Sequence, residues 1–386
     1  MISYGKQSIF DEDIEEVVKV LKSDFLTQGS TITLFENDLK NKFGSNYCSV
    51  VSNGTAALHL SGLVLGWRPE DIILTSPISF IATANCIIYS GATPDFVDID
   101  PISYTIDPNH LEDKIKTYRS GGKSVKAVIG VDYAGHPCDW KSLREIANKY
   151  DLQLVNDNCH ALGAAYYGDK KYATKYADIV TQSFHPVKHF TTGEGGSIMT
   201  NNEELDDKIK ILRTHGITKP KDNKKENIQP WIYEMHNLGF NYRITDFQCA
   251  LGISQLKKLD KFIAKRREIS AIYDSSLKDI ENFIIPKVDV NSSHAFHLYP
   301  LQILFNEISI SKTDLFKNFK DYGIALQVHY IPIHLQPFYV KNYGFSVGDF
   351  PIAENFYNNA ISLPIFYDLS REELRYVIDK LKTINK

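Results

Sequence analysis

The chain has few cysteines, no long apolar run and little excess of either charge. Its five cysteines are Cys48, Cys86, Cys138, Cys159 and Cys249, in 386 residues. They are scattered, odd in number and never paired as Cys-x-x-Cys. That argues against a disulfide framework or a zinc site, so no metal is expected, and it fits a reducing cytoplasm. No apolar stretch reaches the roughly 20 residues of a membrane-spanning helix. The start, Met1-Ile-Ser-Tyr-Gly-Lys6, lacks the apolar region of a signal peptide, which again suggests the cytoplasm. Lys and Arg total 43 against 47 Asp and Glu, a net charge of -4. Nothing in that balance points to nucleic acid or an anionic membrane. No internal repeat or low-complexity tract is present.

What is there is ordinary for a soluble enzyme: 43% apolar and 23% charged residues. The length suffices for one large and one small domain. Ile14, Val17, Val18 and Leu21 recur at helical spacing, which predicts an amphipathic helix over 11–22. Strands are expected at Tyr47–Ser52, Asp71–Ser76, Pro94–Ile99, Val125–Asp132, Leu152–Asp157, Ile179–Phe184 and Gly196–Thr200. Helices are expected at Thr55–Gly66 and Trp140–Tyr150. This alternation implies an α/β fold with a mostly parallel sheet covered by helices. Ligands of such sheets bind beyond the carboxyl ends of the strands. Ser52, Pro77, Asp157 and Ser183 all lie at or just past such ends. Lys219–Gln229 is polar and charged, punctuated by Pro220 and then Pro230, and reads as an exposed loop. Thr245–Ile272 reads as a mainly helical bridge to a smaller α+β unit. The expected division is a large domain over 1–250 and a small one over 251–386.

Two residues carry most of the chemical information. Lys188 sits between an apolar strand and the glycines Gly193, Gly195 and Gly196. A desolvated lysine there has a lowered pKa and can serve as nucleophile and base. The glycines would let the backbone approach a ligand. Asp157 ends another apolar run. A carboxylate there can pair with a pyridinium nitrogen, and a lysine can condense with the aldehyde of pyridoxal 5'-phosphate (PLP). Alone, Asp157 reads first as a cap or turn residue; for Lys188 the surrounding motif argues against an ordinary loop lysine.

Other segments suit the same cofactor. Val51-Ser-Asn-Gly54-Thr55-Ala56 joins a strand to a helix, whose N-terminus favours phosphate. Thr55 and Ser183 add hydroxyls. Phe80 can stack on a pyridine ring or be a core residue. His160 lies three residues after Asp157, one turn on if a helix starts there, and can cover the ring, touch its 3'-oxygen, or be structural. Cys159 reads as a small packing residue near the site.

Together these residues resemble the DegT-type sugar-nucleotide aminotransferases, with the aspartate aminotransferase-like PLP fold type I. The likeness runs through Thr27-Gln28-Gly29, Ser52–Ala57, Phe80–Asn85, Asp157–His160, Ser183–Gly196, Gly239–Arg243, His329-Tyr330 and Ser362-Leu-Pro364. It implies that Lys188 carries the cofactor and that Asp157 pairs with the ring nitrogen. It also implies that Thr55, Ala56 and Ser183 hold the phosphate and that His160 packs on the ring. It further implies a homodimer in which Asn241 reaches the neighbouring subunit's phosphate, and substrate contacts at Gln28, His329 and Tyr330. Ser23–Gly29, Val131–Gly135, Ser183–Lys188 and Trp231–Met235 are similar to the branch serving pseudaminic acid synthesis for surface glycans or flagellin. There L-glutamate aminates C4 of a UDP-linked 4-keto-6-deoxy-N-acetyl-hexosamine. Asn156 and Asn158-Cys159 depart from the usual pattern around the aspartate. Sugar dehydratases of this family carry histidine at the lysine position, so Lys188 argues against dehydration, with His189 next to it. A non-catalytic regulator would be expected to add a DNA-binding module, and none is evident.

Overall fold

The computed structural model describes residues 1–219, 229 and 231–384. The loop expected at 219–229 therefore lies, apart from its two ends, outside the described residues. The main sheet has strands β1 (Tyr47–Val51), β2 (Ile72–Thr75), β3 (Thr93–Phe96), β4 (Val125–Val131), β5 (Gln153–Asp157), β6 (Ile179–Ser183) and β7 (Gly196–Thr200). Their order is β1-β7-β6-β5-β4-β2-β3. All run the same way except β7, which is antiparallel to both its neighbours. Helices cover both faces, which is why β2 and β7 are apolar or small and wholly buried rather than alternating. The carboxyl ends of β1, β4, β5 and β6 thus share one edge, with Val51, Val131, Asp157 and Ser183 on it.

Helices α1 (Asp11–Leu21), α2 (Ser30–Phe43), α3 (Gly54–Val64) and α4 (Ala82–Tyr89) precede β3. α3 packs against β6 and β7, and nine of its eleven residues are buried. Asn53 caps its N-terminus, accepting from the Ala56 amide at 2.8 Å.

The helix expected at 11–22 forms, but its apolar stripe does not face the core. Ile14 is 53% exposed, Val18 38% and Leu21 53%. The inward residue is Asp13, whose carboxylate accepts from Ser254 Oγ, Gln255 Nε2 and Lys258 Nζ at 2.6–2.7 Å. Periodicity reveals a stripe, not its partner.

A second core surrounds a three-stranded antiparallel sheet of Phe283–Ile284, Tyr299–Ile303 and Ala360–Leu363. The expected bridge is two helices, Asp246–Leu256 and Leu259–Leu277. The first packs on α1 and α2, so the division drawn at 250/251 falls within a helix of the large unit. The second gives Leu259, Phe262 and Ile263 to the first core and Ile269, Tyr273 and Leu277 to the second. Between these sets lies buried Arg266. Its Nη1 donates to the carbonyls of Phe296, His297 and Ile365 at 2.9–3.1 Å, strapping the small unit to the site.

Candidate active site

A cavity of about 500 Å³ opens at the carboxyl edge of the main sheet. That lies within the usual size for a small-molecule site, roughly 300–1,000 Å³. Lys188, Asp157, Thr55, Ser183, Phe80, His160, His329 and Tyr330 all line it. Segments as far apart as residues 54 and 330 therefore converge on one space.

Asp157 is buried at the end of β5. Its Oδ2 accepts from Thr83 Oγ1 at 2.7 Å, and its Oδ1 from the Cys159 amide at 3.3 Å. Because Thr83 gives its hydrogen to Asp157, Ser79 is the donor in the 2.7 Å Ser79–Thr83 contact. This chain fixes the carboxylate and leaves room for one more charge-assisted partner.

Lys188 lies in the 184–195 connection, whose ends are tied where Ser183 pairs with Gly196. Its Nζ makes no ion pair among the described residues and lies 3.4 Å from His297 Nε2. Burial lowers its pKa, with the nearby Asp157 opposing that shift and Arg266 adding to it. A neutral amine is thus easier to reach than on a surface lysine. His189 instead turns into the protein, with Nε2 3.2 Å from the Ala295 carbonyl.

At the end of α3, Gly54 leaves a space that a side chain would fill. A Cβ there would stand 2.9 Å from Ser183 Cβ and 3.5 Å from Cys159 Sγ. With the Thr55 and Ser183 hydroxyls, this forms a small anion cradle at a helix N-terminus. These residues fit PLP: a buried lysine with no ion pair among the described residues, an anchored carboxylate, and hydroxyls beside a helix N-terminus for the phosphate. Ala56 is set back from the cavity, its amide taken by Asn53, because the cap residue claims the first-turn donors. Gly195 and Gly196 do not serve ligand approach either. A Cβ on Gly196 would meet the Asn53 and Gln182 backbone at 2.7–2.8 Å, so that glycine allows strand packing.

His160 sits in a turn, not a helix. The Ala134 amide donates to its Nδ1 at 3.3 Å, so the neutral ring carries its hydrogen on Nε2. Burial keeps the ring neutral, lowering its pKa well below the usual range. Nε2 then donates to Tyr330 Oη at 3.1 Å. Phe80 is 53% exposed at the cavity wall, 6.0 Å from the Tyr330 ring, which rules out a core role. His329 Nδ1 contacts Ser362 Oγ at 2.8 Å. Gln28 and Asn241 do not line this cavity. Burial pushes the Cys159 thiol well above its usual pKa, so it stays a neutral wall residue.

The sequence reading missed Thr83, Ser79 and His297. Thr83 lies in the Phe80–Asn85 stretch singled out above and Ser79 just before it, with hydroxyls four residues apart as a clue. His297 comes from the other unit, and no local signal marks it.

The DegT/DnrJ/EryC1/StrS aminotransferase family matches residues 7–382. The chain is 38% identical to UDP-4-amino-4,6-dideoxy-N-acetyl-beta-L-altrosamine transaminase of Campylobacter jejuni, over 100% of this chain and 97% of that one. It superposes on Helicobacter pylori PseC, an aminotransferase involved in the biosynthesis of pseudoaminic acid. The TM-score is 0.89, with 32% identity and 99% of both chains covered. The PLP form of Spr1654 from Streptococcus pneumoniae aligns with a TM-score of 0.89, at 29% identity over 99% of this chain and 98% of that one. The chain belongs to the DegT/DnrJ/EryC1/StrS family and is a PLP-dependent sugar aminotransferase.

Proposed function

We propose that this enzyme moves the amino group of L-glutamate to C4 of a UDP-linked 4-keto-6-deoxy-N-acetyl-hexosamine, in pseudaminic acid biosynthesis. The observation that carries the reading is the meeting of Lys188, Asp157 and the Gly54–Ser183 cradle in one cavity. The near-full-length likeness to the Campylobacter jejuni transaminase supports the choice of sugar.

When bound, PLP supplies the aldehyde that accepts the amino group and the ring that withdraws electrons from the reacting carbon. The rest falls to the protein. Asp157 holds the proton on the ring nitrogen. Thr83 and Ser79 keep the carboxylate aimed. Lys188 Nζ takes the proton from the glutamate α-carbon, and in the second half-reaction Nζ returns a proton to C4 of the sugar. The balance is glutamate plus keto sugar in, 2-oxoglutarate plus amino sugar out. Phe80, His329 and Tyr330 are placed to meet the acceptor at the cavity wall.

A panel of keto-sugar nucleotides tests the substrate. Each is mixed with the aminated enzyme, and the return of the aldehyde absorbance is followed. The UDP-4-keto-N-acetyl sugar should react fastest. A dTDP-3-keto sugar reacting far faster would overturn the choice of sugar and leave the aminotransferase intact.

The proposed working unit is a homodimer with shared sites. Ile14, Val18 and Leu21 on α1, with Phe25 and Leu26 beyond it, leave an apolar surface facing solvent in the single chain. Clustered exposure of this kind marks an interaction surface. Asn241, which the family likeness assigns to the phosphate, lies outside its own chain's cavity. Mixing inactive Lys188→Ala with an inactive Asn241→Ala protein should therefore restore some turnover, because one site per mixed dimer escapes both lesions. No recovery after verified subunit exchange would count against shared sites. The proposed location is the cytoplasm. No described helix is long and apolar enough to cross a membrane.

A further inference from the structure

The polar neighbour of the Lys188 amine is a nitrogen, not a carboxylate. His297 Nε2 lies 3.4 Å from Nζ, and the histidine is 4% exposed. Its Nδ1 has no partner among the described residues. Its backbone is held, because Arg266 Nη1 donates to the His297 carbonyl at 3.1 Å. Its ring packs against His160, with centroids 4.4 Å apart. The imidazole is therefore fixed at both backbone and ring, with one nitrogen aimed at the lysine.

We propose that His297 is a positioning residue that holds the Lys188 amine, while it is free of the cofactor, in a neutral hydrogen bond. The proposal rests on the aminotransferase reading, in which that amine must be released and then act as a base. A carboxylate at this distance would hold the lysine as an ammonium ion, which cannot take a proton. An imidazole avoids that. It donates Nε2–H to the neutral amine, and in its other tautomer accepts from the ammonium. The contact survives the proton's arrival and departure, so Nζ stays in place throughout.

The charged and titratable groups around Nζ agree with this arrangement. Asp157, Cys159, Arg266, His160, His189 and His329 are the other titratable groups close enough to interact with Nζ. Burial lowers the pKa of all three of these histidines and of His297, and the lysine lowers them further. Asp157 is already bonded to Thr83 and Cys159. The histidine is thus the direct partner of the amine in this structure.

The test compares His297→Phe, which keeps a ring but no nitrogen, His297→Gln, which keeps a polar hydrogen-bonding end, and His297→Asp, which adds a charge. In the cofactor-free protein, competitive acylation with acetic anhydride across pH, read by mass spectrometry, gives the Lys188 titration directly. His297→Asp should move it upward by about one unit or more, as an opposite charge at this range does. At fixed pH the labelling rate of Lys188 should then fall about tenfold relative to other lysines. In the holoenzyme, the glutamate half-reaction of His297→Phe should slow about fivefold, the loss of one neutral hydrogen bond. His297→Gln should recover most of that loss. An unchanged Lys188 titration in His297→Asp, or a normal half-reaction in His297→Phe, overturns the proposal. So does a Gln variant no better than Phe, because that is what a purely structural role predicts. Should His297→Asp fail to fold, the Phe and Gln pair decides alone. If the titration moves as stated but glutamate does not react with wild-type holoenzyme, the contact stands and the aminotransferase reading fails.

Discussion

Lys188→Ala should fold as the wild type does and lose turnover by at least the roughly 10²–10⁴-fold that general acid–base catalysis supplies. The fold should survive because the Nζ atom makes one contact, to His297, and no ion pair among the described residues. The loop around it is held by its own backbone: Ser183 pairs with Gly196, and the Phe184 carbonyl accepts from Thr191 Oγ1 at 2.8 Å. Removing three carbons and an amine from a cavity wall leaves these bonds untouched. The nearby histidines are poor substitute bases, since burial lowers the pKa of His160, His297 and His329. Absorbance of bound cofactor and a steady-state assay check the two halves of the expectation. Near-normal turnover would remove Lys188 from its role.

Asp157→Asn should be the second most damaging change. The side chain keeps its size, and its one oxygen can still accept from Thr83 while the longer bond from the Cys159 amide is lost, so the site should largely keep its shape. It loses the charge that favours a proton on the ring nitrogen. A hydrogen bond to a charged group contributes about 1.5–3 kcal/mol, so the rate should fall at least roughly tenfold. Both half-reactions should slow together, because both need the ring as an electron sink. Some cofactor should remain bound through the Gly54–Ser183 cradle. Stopped-flow rates for glutamate alone and for the keto sugar alone provide the measurement. Unchanged half-reaction rates would defeat the assignment.

Some of this was legible in the chain and some was not, for physical reasons. Strand spacing and buried apolar runs gave the sheet, and strand ends placed Asp157 and Ser183 on its working edge. Those signals are local. The α1 stripe was legible as a stripe, but its direction depended on Asp13 meeting Ser254, Gln255 and Lys258, over 240 residues away. The glycine cluster was legible, yet its use was not. Gly196 makes room for backbone, and Gly54 makes room at the cradle. His160 was found through spacing that assumed a helix, and a turn brings it to the cavity instead. His297 could not be found at all, because only the docking of the second core carries it to Lys188.

Arg266 carries one more consequence. It straps three carbonyls, and among the described residues no carboxylate pairs with it. Burial lowers its pKa only to about 10, so it remains charged at neutral pH. A cation whose field is answered only by dipoles gives the interior beside the cavity a standing positive potential. Through a medium of low polarity that potential reaches further than it would in water. It opposes any new cation in the pocket and favours an arriving phosphate ester or diphosphate. The residue that joins the two halves of the molecule thereby also biases which molecules they admit.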